Sequence, residues 1–205
     1  MSSQSDLTAR ARIRDAAITL IAERGAQATT IRDIADAAGV SSGLLRHHFG
    51  SKEGLRDACD EWVQAELTRI RSNALASAQD VFAALRAAPL RLQSYVLRST
   101  MDGSPAGERM FDAMVQQGED WIATTDVKTD DPRAYAAVLT ALKMGMFILR
   151  DQISRAIGQD ITEPPGQARM LRASVEIFSR PLVGPELAEQ MLAALERYGA
   201  EEAER

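Results

Sequence analysis

The sequence predicts an all-α protein, on three observations. Aromatic residues make up only 5% of the 205 residues while Ala and Leu abound, and few runs of Val, Ile, Thr and aromatic residues alternate as a half-buried strand requires. Apolar residues recur instead at spacings of three and four. Gly, Pro and the capping residues Ser, Thr and Asp punctuate these stripes at helical intervals. A hydrophobic content of 45% at this length supports a globular protein with a real core.

A first helix is expected from about Leu7 to Arg24, with Ile13, Ala16, Ala17, Leu20 and Ile21 on one stripe and Gly25 ending it. The next stretch, TIRDIADAAGVSSGLLRHHFGSK over residues 30–52, has the form of a helix-turn-helix. Thr30 caps a helix whose third residue is Asp33, and Ile31, Ile34, Ala35 and Ala38 fall on one face. Gly39 stops that helix, Val40 fills the angle, and Ser41 or Ser42 caps a second helix that Leu44, Leu45 and Phe49 anchor to a small core. The face left free carries Ser42, Gly43, Arg46 and His47, with His48 near its edge and Lys52 at the start of the following helix. These groups suit phosphates and base edges.

A fourth helix opens at Ser51 and carries Leu55, Ala58, Cys59, Trp62, Val63, Leu67 and Ile70 over about twenty residues. Its early part is expected to close the small N-terminal core and its later part to enter a second one. Val81, Phe82 and Leu85 predict a short helix that Pro89 interrupts, and Leu92, Tyr95, Val96 and Ser99 continue a stripe to Asp102-Gly103. Ser104-Pro105 opens the next helix, with Met110, Phe111, Met114, Val115, Gly118, Trp121 and Ile122 on a wide apolar face. After Asp131-Pro132 the chain is nearly apolar all round from Ala134 to Leu149, which predicts a central buried helix extended by Ile153 and Ile157 to Gly158. Two closing helices are expected at Gln167–Ser179 and Pro185–Tyr198, and the tail EEAER is expected to fray.

Charge alone argues against a general nucleic-acid coat, because the net charge is −5. Its distribution softens that objection: residues 1–56 hold eight Lys/Arg and six Asp/Glu, against 16 and 23 in the remainder. The single Cys59 excludes an internal disulfide and a thiolate zinc cluster, favours a reducing cytoplasm, and lies in an apolar stripe beside Trp62 as a buried inert thiol would. Adjacent His47 and His48 point about 100° apart and do not readily share a metal. No metal site and no cofactor is expected. No apolar run reaches the roughly 18 residues a membrane span needs, and no secretory segment opens the chain, so a soluble protein without a membrane partner is expected. An enzyme would need a convergent acid, base or nucleophile set; both histidines lie in the helix-turn-helix, and no Gly-rich phosphate loop or H-E-x-x-H occurs.

The run GVSSGLLRHHFGSKEGL resembles the TetR (TetR/AcrR) family of bacterial transcriptional regulators, whose pattern is GVS, any residue, G, two positions, an aromatic, one position, then HF-SKE-L. The resemblance covers about residues 7–60. It implies an N-terminal three-helix helix-turn-helix DNA-binding domain (residues 1–54), joined by the long fourth helix to a helical-bundle ligand-binding and dimerisation domain (residues 55–205). It further implies a homodimer on a palindromic double-stranded DNA operator, most often a repressor released by a small-molecule effector. Family phosphate and base contacts would fall on Thr30, Ser42, Gly43, Arg46, His47, His48 and Lys52, with Ser41 at the helix start. Arg46 departs from the pattern, which commonly has Tyr there; Arg can meet a phosphate or reach guanine bidentately.

Beyond the motif, Met101, Met110, Met114, Trp121, Met144 and Phe147 offer adaptable apolar surface for an effector, and equally fit plain core. Arg98 and Lys143 add charge: Lys143 belongs at an interface, at the surface, or facing an acidic ligand group. The effector expected is mainly apolar. The stripes Leu171–Val175–Phe178 and Leu187–Met191–Leu195–Tyr198 would form a four-helix bundle with a second copy, or close the monomer core. A DNA-binding regulator without a small ligand, controlled by a protein partner or by concentration, is the alternative.

Overall fold

In the computed structural model, residues 4–72 and 89–203 are described, and all ten elements among them are helices. The expected short helix around Val81, Phe82 and Leu85 lies outside the described residues. The chain divides into two compact units, Met1–Ile148 and Leu149–Arg205.

Seven helices build the first unit: α1 (Gln4–Arg24), α2 (Ile31–Ala38), α3 (Ser42–Phe49), α4 (Lys52–Ser72), α5 (Leu90–Thr100), α6 (Pro105–Ile122) and α7 (Pro132–Ile148). Their starts are set by local capping. Ser51 Oγ accepts from Gly54 N at 3.0 Å before α4, Ser104 Oγ from Gly107 N at 3.1 Å before α6, and Asp131 Oδ1 from Ala134 N at 2.9 Å before α7. Pro105 occupies the first turn of α6, where its missing N–H removes no helical bond.

One core runs from α1 to α6. Ile13, Ala17, Ile18 and Ile21 of α1 meet Ile34, Ala35 and Ala38 of α2, Leu45 of α3, and Leu55, Cys59 and Val63 of α4; Leu92, Tyr95 and Met110 continue the same core into α5 and α6. Two cores were expected along α4. Instead Leu67 packs on the core that Leu55 begins, because α5 lies against α1 and lends it Leu92 and Tyr95. Burial pushes the Cys59 thiol up to about 12, which leaves it protonated and unreactive at neutral pH.

A polar clasp joins α4 to the turn between α5 and α6. The Arg56 guanidinium bonds Asp102, donates to the Ser99 carbonyl at 3.3 Å, and stands 3.7 Å from Asp60, which accepts from the Tyr95 hydroxyl at 2.6 Å. Side-chain exposure of Arg56, Asp60 and Asp102 is only 10–13%. Burial raises Asp60, whereas at Asp102 hydrogen bonds from Arg56 and Ser104 outweigh burial and hold the carboxyl below its ordinary value. The two therefore act oppositely with pH. The contribution of Asp102 is present above its ordinary value and lost on acidification, while that of Asp60 is present at low pH and lost as pH rises through its raised value.

The helix from Pro132 is not the central buried one expected. Only Ala136 of α7 is buried, and Tyr135, Val138, Leu142, Phe147 and Ile148 are 38–60% exposed. Its contact with α6 is narrow and close: a Cβ on Gly118 would stand 3.0 Å from that of Ala136, and Val115, Ile122 and Ala136 form a small separate core. An apolar composition signals a need for burial, but a helix that packs mainly on α6, with a smaller contact to α5, satisfies it on one side only. Nor do Ile153 and Ile157 extend α7, since the helix breaks at Leu149 (φ −96°, ψ 20°).

The second unit holds α8 (Arg150–Ile157), α9 (Pro164–Ser179) and α10 (Pro185–Ala203). α9 starts before the expected Gln167, since Pro164 fits the first turn. α10 runs past Tyr198 to Ala203, so the tail is helical to that residue. No described helix is long and apolar enough to cross a membrane.

Replacing Arg56 by Met should lower stability by about 3 kcal/mol, because two nearly buried carboxylates lose their counter-charge. Replacing Arg109, whose pair with Asp57 is more than half exposed, should cost under about 1 kcal/mol. Urea unfolding of both variants measures the contrast, and equal losses would contradict the assignment of the clasp.

Candidate nucleic-acid interface

The turn between α2 and α3 fixes the candidate surface. A capping box starts α2: Thr30 Oγ1 accepts from Asp33 N at 3.1 Å and Asp33 Oδ2 accepts from Thr30 N at 2.9 Å. The Thr30 hydroxyl also donates to Asp33 at 2.7 Å, and Arg24 pairs with the same carboxylate at 2.8 Å. These bonds from Thr30, then the Arg24 charge, hold Asp33 below the usual carboxylate range and tie the end of α1 to the start of α2. At the other end Gly39 adopts φ 64°, a left-handed conformation that suits glycine, and turns the chain toward α3. Ser41, not Ser42, is the N-cap of α3, its Oγ accepting from Leu44 N at 3.1 Å.

On α3 only Leu45 is fully buried, and Phe49 packs partly against the core. Gly43, Arg46 and His47 are exposed and Ser42 half-buried on the other side. Arg46 makes no ion pair among the described residues. The His48 ring is half-buried, edge-on to His47 at 5.6 Å and to Phe49 at 6.3 Å, which makes it the packing member of the histidine pair. Lys52 begins α4 beside Glu53, whose carboxylate is held low by its own backbone N–H and by Ser51. The structure thus brings Ser41, Ser42, Gly43, Arg46, His47, His48 and Lys52 to one short helix and the start of the next, with Thr30 at the start of α2. Among the described residues no three His, Cys, Asp or Glu side chains are grouped to hold a metal ion.

Two glycines separate structural from external demand. A Cβ on Gly54 would lie 2.3 Å from the Phe49 carbonyl oxygen, so α4 could not start against α3 with any other residue. A Cβ on Gly43 would meet only Ser41 Oγ, at 3.8 Å, an ordinary contact. No contact inside the chain requires glycine at position 43, the second residue of α3, although glycine costs a helix up to about 1 kcal/mol relative to Ala.

Elsewhere the predicted residues scatter. Met110 is 1% exposed within the main core, and Arg98 Nε donates to the Ala22 carbonyl at 2.9 Å, closing the last turn of α1. Met114 and Met144 are half-buried, while Met101, Trp121, Lys143 and Phe147 are exposed. Of the apolar stripes in the second unit, Leu171 is half-buried and Val175, Phe178, Leu187, Met191, Leu195 and Tyr198 are 51–65% exposed. Ile177, Leu182 and Leu192, which the stripes omitted, are equally open. So was Arg10 omitted: it lies on α1, yet its guanidinium covers the Phe49 ring.

A capped helix-turn-helix presenting Gly, Arg and His from its second helix defines a DNA-binding class of protein. The profile of bacterial regulatory proteins of the tetR family matches residues 13–59, and that of the Tetracyclin repressor-like C-terminal domain matches residues 88–184. The chain is 35% identical over 96% of its length to the HTH-type transcriptional regulatory protein RaaS of Mycobacterium tuberculosis, covering 92% of that protein. Over 48 residues it is 62% identical to the HTH-type transcriptional repressor KstR2 of Rhodococcus jostii, 23% of this chain and 24% of that one. Among solved structures it shares the fold of the TetR-family protein CprB from S. coelicolor A3(2), at a TM-score of 0.57 and 23% identity over 83% of this chain and 88% of that one. The chain therefore belongs to the TetR family of bacterial transcriptional regulators, a non-enzymatic DNA-binding family.

Gly43→Ala should raise the melting temperature, by at most about 2–4 °C, since the helix-interior value of about 1 kcal/mol is the ceiling for a first-turn residue. Gly54→Ala should lower it. Calorimetry of the two variants tests the distinction, and a destabilised Gly43→Ala protein would mean an internal reason for that glycine.

Proposed function

We propose that this regulator is a homodimeric repressor that binds a palindromic operator through its two helix-turn-helix heads and is released by a small, mainly apolar effector. The observation that carries the DNA-contacting surface is Gly43. Gly43, in the first turn of α3, costs the helix up to about 1 kcal/mol relative to Ala with no internal contact to relieve, and close approach to a duplex would be a reason for it. Beside it, Arg46 and His47 are exposed for base edges or phosphates, Ser41 and Ser42 lie at the start of α3, and Lys52 offers charge at the start of α4. Thr30 would contribute its position at the start of α2 more than its hydroxyl, which Asp33 already engages. The sense of regulation follows KstR2, a repressor, whose similarity covers this head.

The open apolar stripes of α9 and α10 support a second copy as their cover, with Leu171, Val175, Phe178, Leu187, Met191, Leu195 and Tyr198 in the interface. Two heads then meet half-sites about one helical turn apart or a multiple of it. The effector would bind among Met101, Met114, Trp121, Met144 and Phe147, with Lys143 toward an acidic group, in the domain that follows the head. Release is a population shift needing about 1–3 kcal/mol of coupling. A second reading, regulation without a small ligand, is favoured by Met110 and Arg98, since both are already engaged within the chain.

A mobility-shift assay with the DNA beside its own gene should give a specific, salt-sensitive band, and no such band would sink the DNA-binding reading. Arg46→Ala should weaken that band by about tenfold or more, as loss of a bidentate contact worth about 1–3 kcal/mol does; unchanged affinity would move the contact to His47 or Ser42. Fluorescence of the half-exposed Trp121 during titration with apolar acids checks the effector, and no response alongside intact DNA binding favours the second reading.

A further inference from the structure

Arg10 lies outside the helix-turn-helix, about four turns before the end of α1, yet its Cζ stands 5.2 Å from the centroid of the Phe49 ring. Phe49 is the last residue of α3 and is fixed partly against the core. Its other ring contact is His48 at 6.3 Å, and His48 in turn meets the exposed His47 at 5.6 Å. The stack therefore pins an exposed cation at the C-terminal end of the recognition helix, three positions before Lys52 along the chain. A cation–π contact supplies no hydrogen-bond acceptor, so it uses up none of the five guanidinium N–H donors. Among the described residues Arg10 makes no ion pair, whereas Arg14, Arg24 and Arg32 on α1 and α2 are paired with Asp15, Asp33 and Asp36.

We propose that Arg10 is a further phosphate-contacting residue of the reading head, with Phe49 as the platform that holds its guanidinium toward the DNA backbone beside His47 and Lys52. The proposal rests on the DNA-binding reading above and extends the surface from the motif to α1. A planar fork held in place loses little further freedom on meeting a phosphate, and bidentate geometry suits it. Such a contact adds affinity without reading sequence, so specific and random duplexes gain alike.

The test is the salt dependence of binding by the full chain, measured by fluorescence anisotropy on a duplex carrying the DNA upstream of its own gene and on a random duplex of equal length. Each neutralised phosphate contributes about 0.9 to the slope of log K against log salt, so Arg10→Gln should reduce the slope by about 1.8 for a dimer. Affinity for both duplexes should fall together. Arg10→Lys should keep the wild-type slope, because charge is retained. An unchanged slope in Arg10→Gln overturns the proposal, and so does weaker binding with the slope intact, which would mark a purely structural role for the stack. A wild-type protein that binds neither duplex would instead overturn the DNA-binding reading itself.

Discussion

The position of the reading head depends on one buried cation. Arg56, one turn into α4, is held by Asp102, the Ser99 carbonyl and Asp60, so the start of α4 is bound to the turn that joins α5 to α6. An ion pair so far from water is poor evidence for net stability, since desolvation offsets much of the attraction. Its value lies in geometry. A guanidinium bonded to Asp102 and to the Ser99 carbonyl, with the Asp60 carboxylate 3.7 Å from its Nε, admits few arrangements, whereas the apolar contacts of Leu55 and Val63 prescribe no direction. Tyr95 completes the arrangement by donating to Asp60, and its own burial places the hydroxyl where no water competes.

From that fixed α4 the candidate interface needs little further support. Eight residues of α3 are anchored chiefly by Leu45 and Phe49 on one side, and the other side is left to small, polar and cationic groups. The closeness of α3 and α4 is enforced at Gly54, where backbone replaces side chain, and the exposed Gly43 has no comparable internal partner. The two glycines lie eleven positions apart in one motif and answer to different constraints. Chain geometry explains one, and no contact within the chain explains the other.

Much of this was legible in the sequence because it is local. Capping at Thr30, Ser51, Ser104 and Asp131 involves residues three apart, and the motif residues of α3 are neighbours by helical periodicity. Contacts between distant residues were not legible. Arg56 and Asp102 are 46 positions apart, and nothing in either neighbourhood marks the other. Arg10 and Phe49 meet only because α1 packs on α3. The effector candidates were chosen by side-chain type, and type does not reveal neighbours: Met110 went into the core and Arg98 to the end of α1. α7 failed for the same reason, since its composition states what it needs to bury and not what covers it.

Among the described residues the core of the head is continuous with that of α5 and α6. Leu55, Cys59 and Val63 belong to the same buried cluster as Ile13 and Ala17 of α1 and as Leu92, Tyr95 and Met110 of α5 and α6. Close-packed interiors transmit displacement and do not absorb it. Because Arg56 joins α4 to the turn between α5 and α6, an effector of the proposed kind that moved α5 or α6 would strain this clasp or shift α4, which begins at Lys52. The same continuity makes the coupling reciprocal: DNA that selects one setting of α4 selects the matching setting of α5 and α6, and so alters the affinity of whatever binds there.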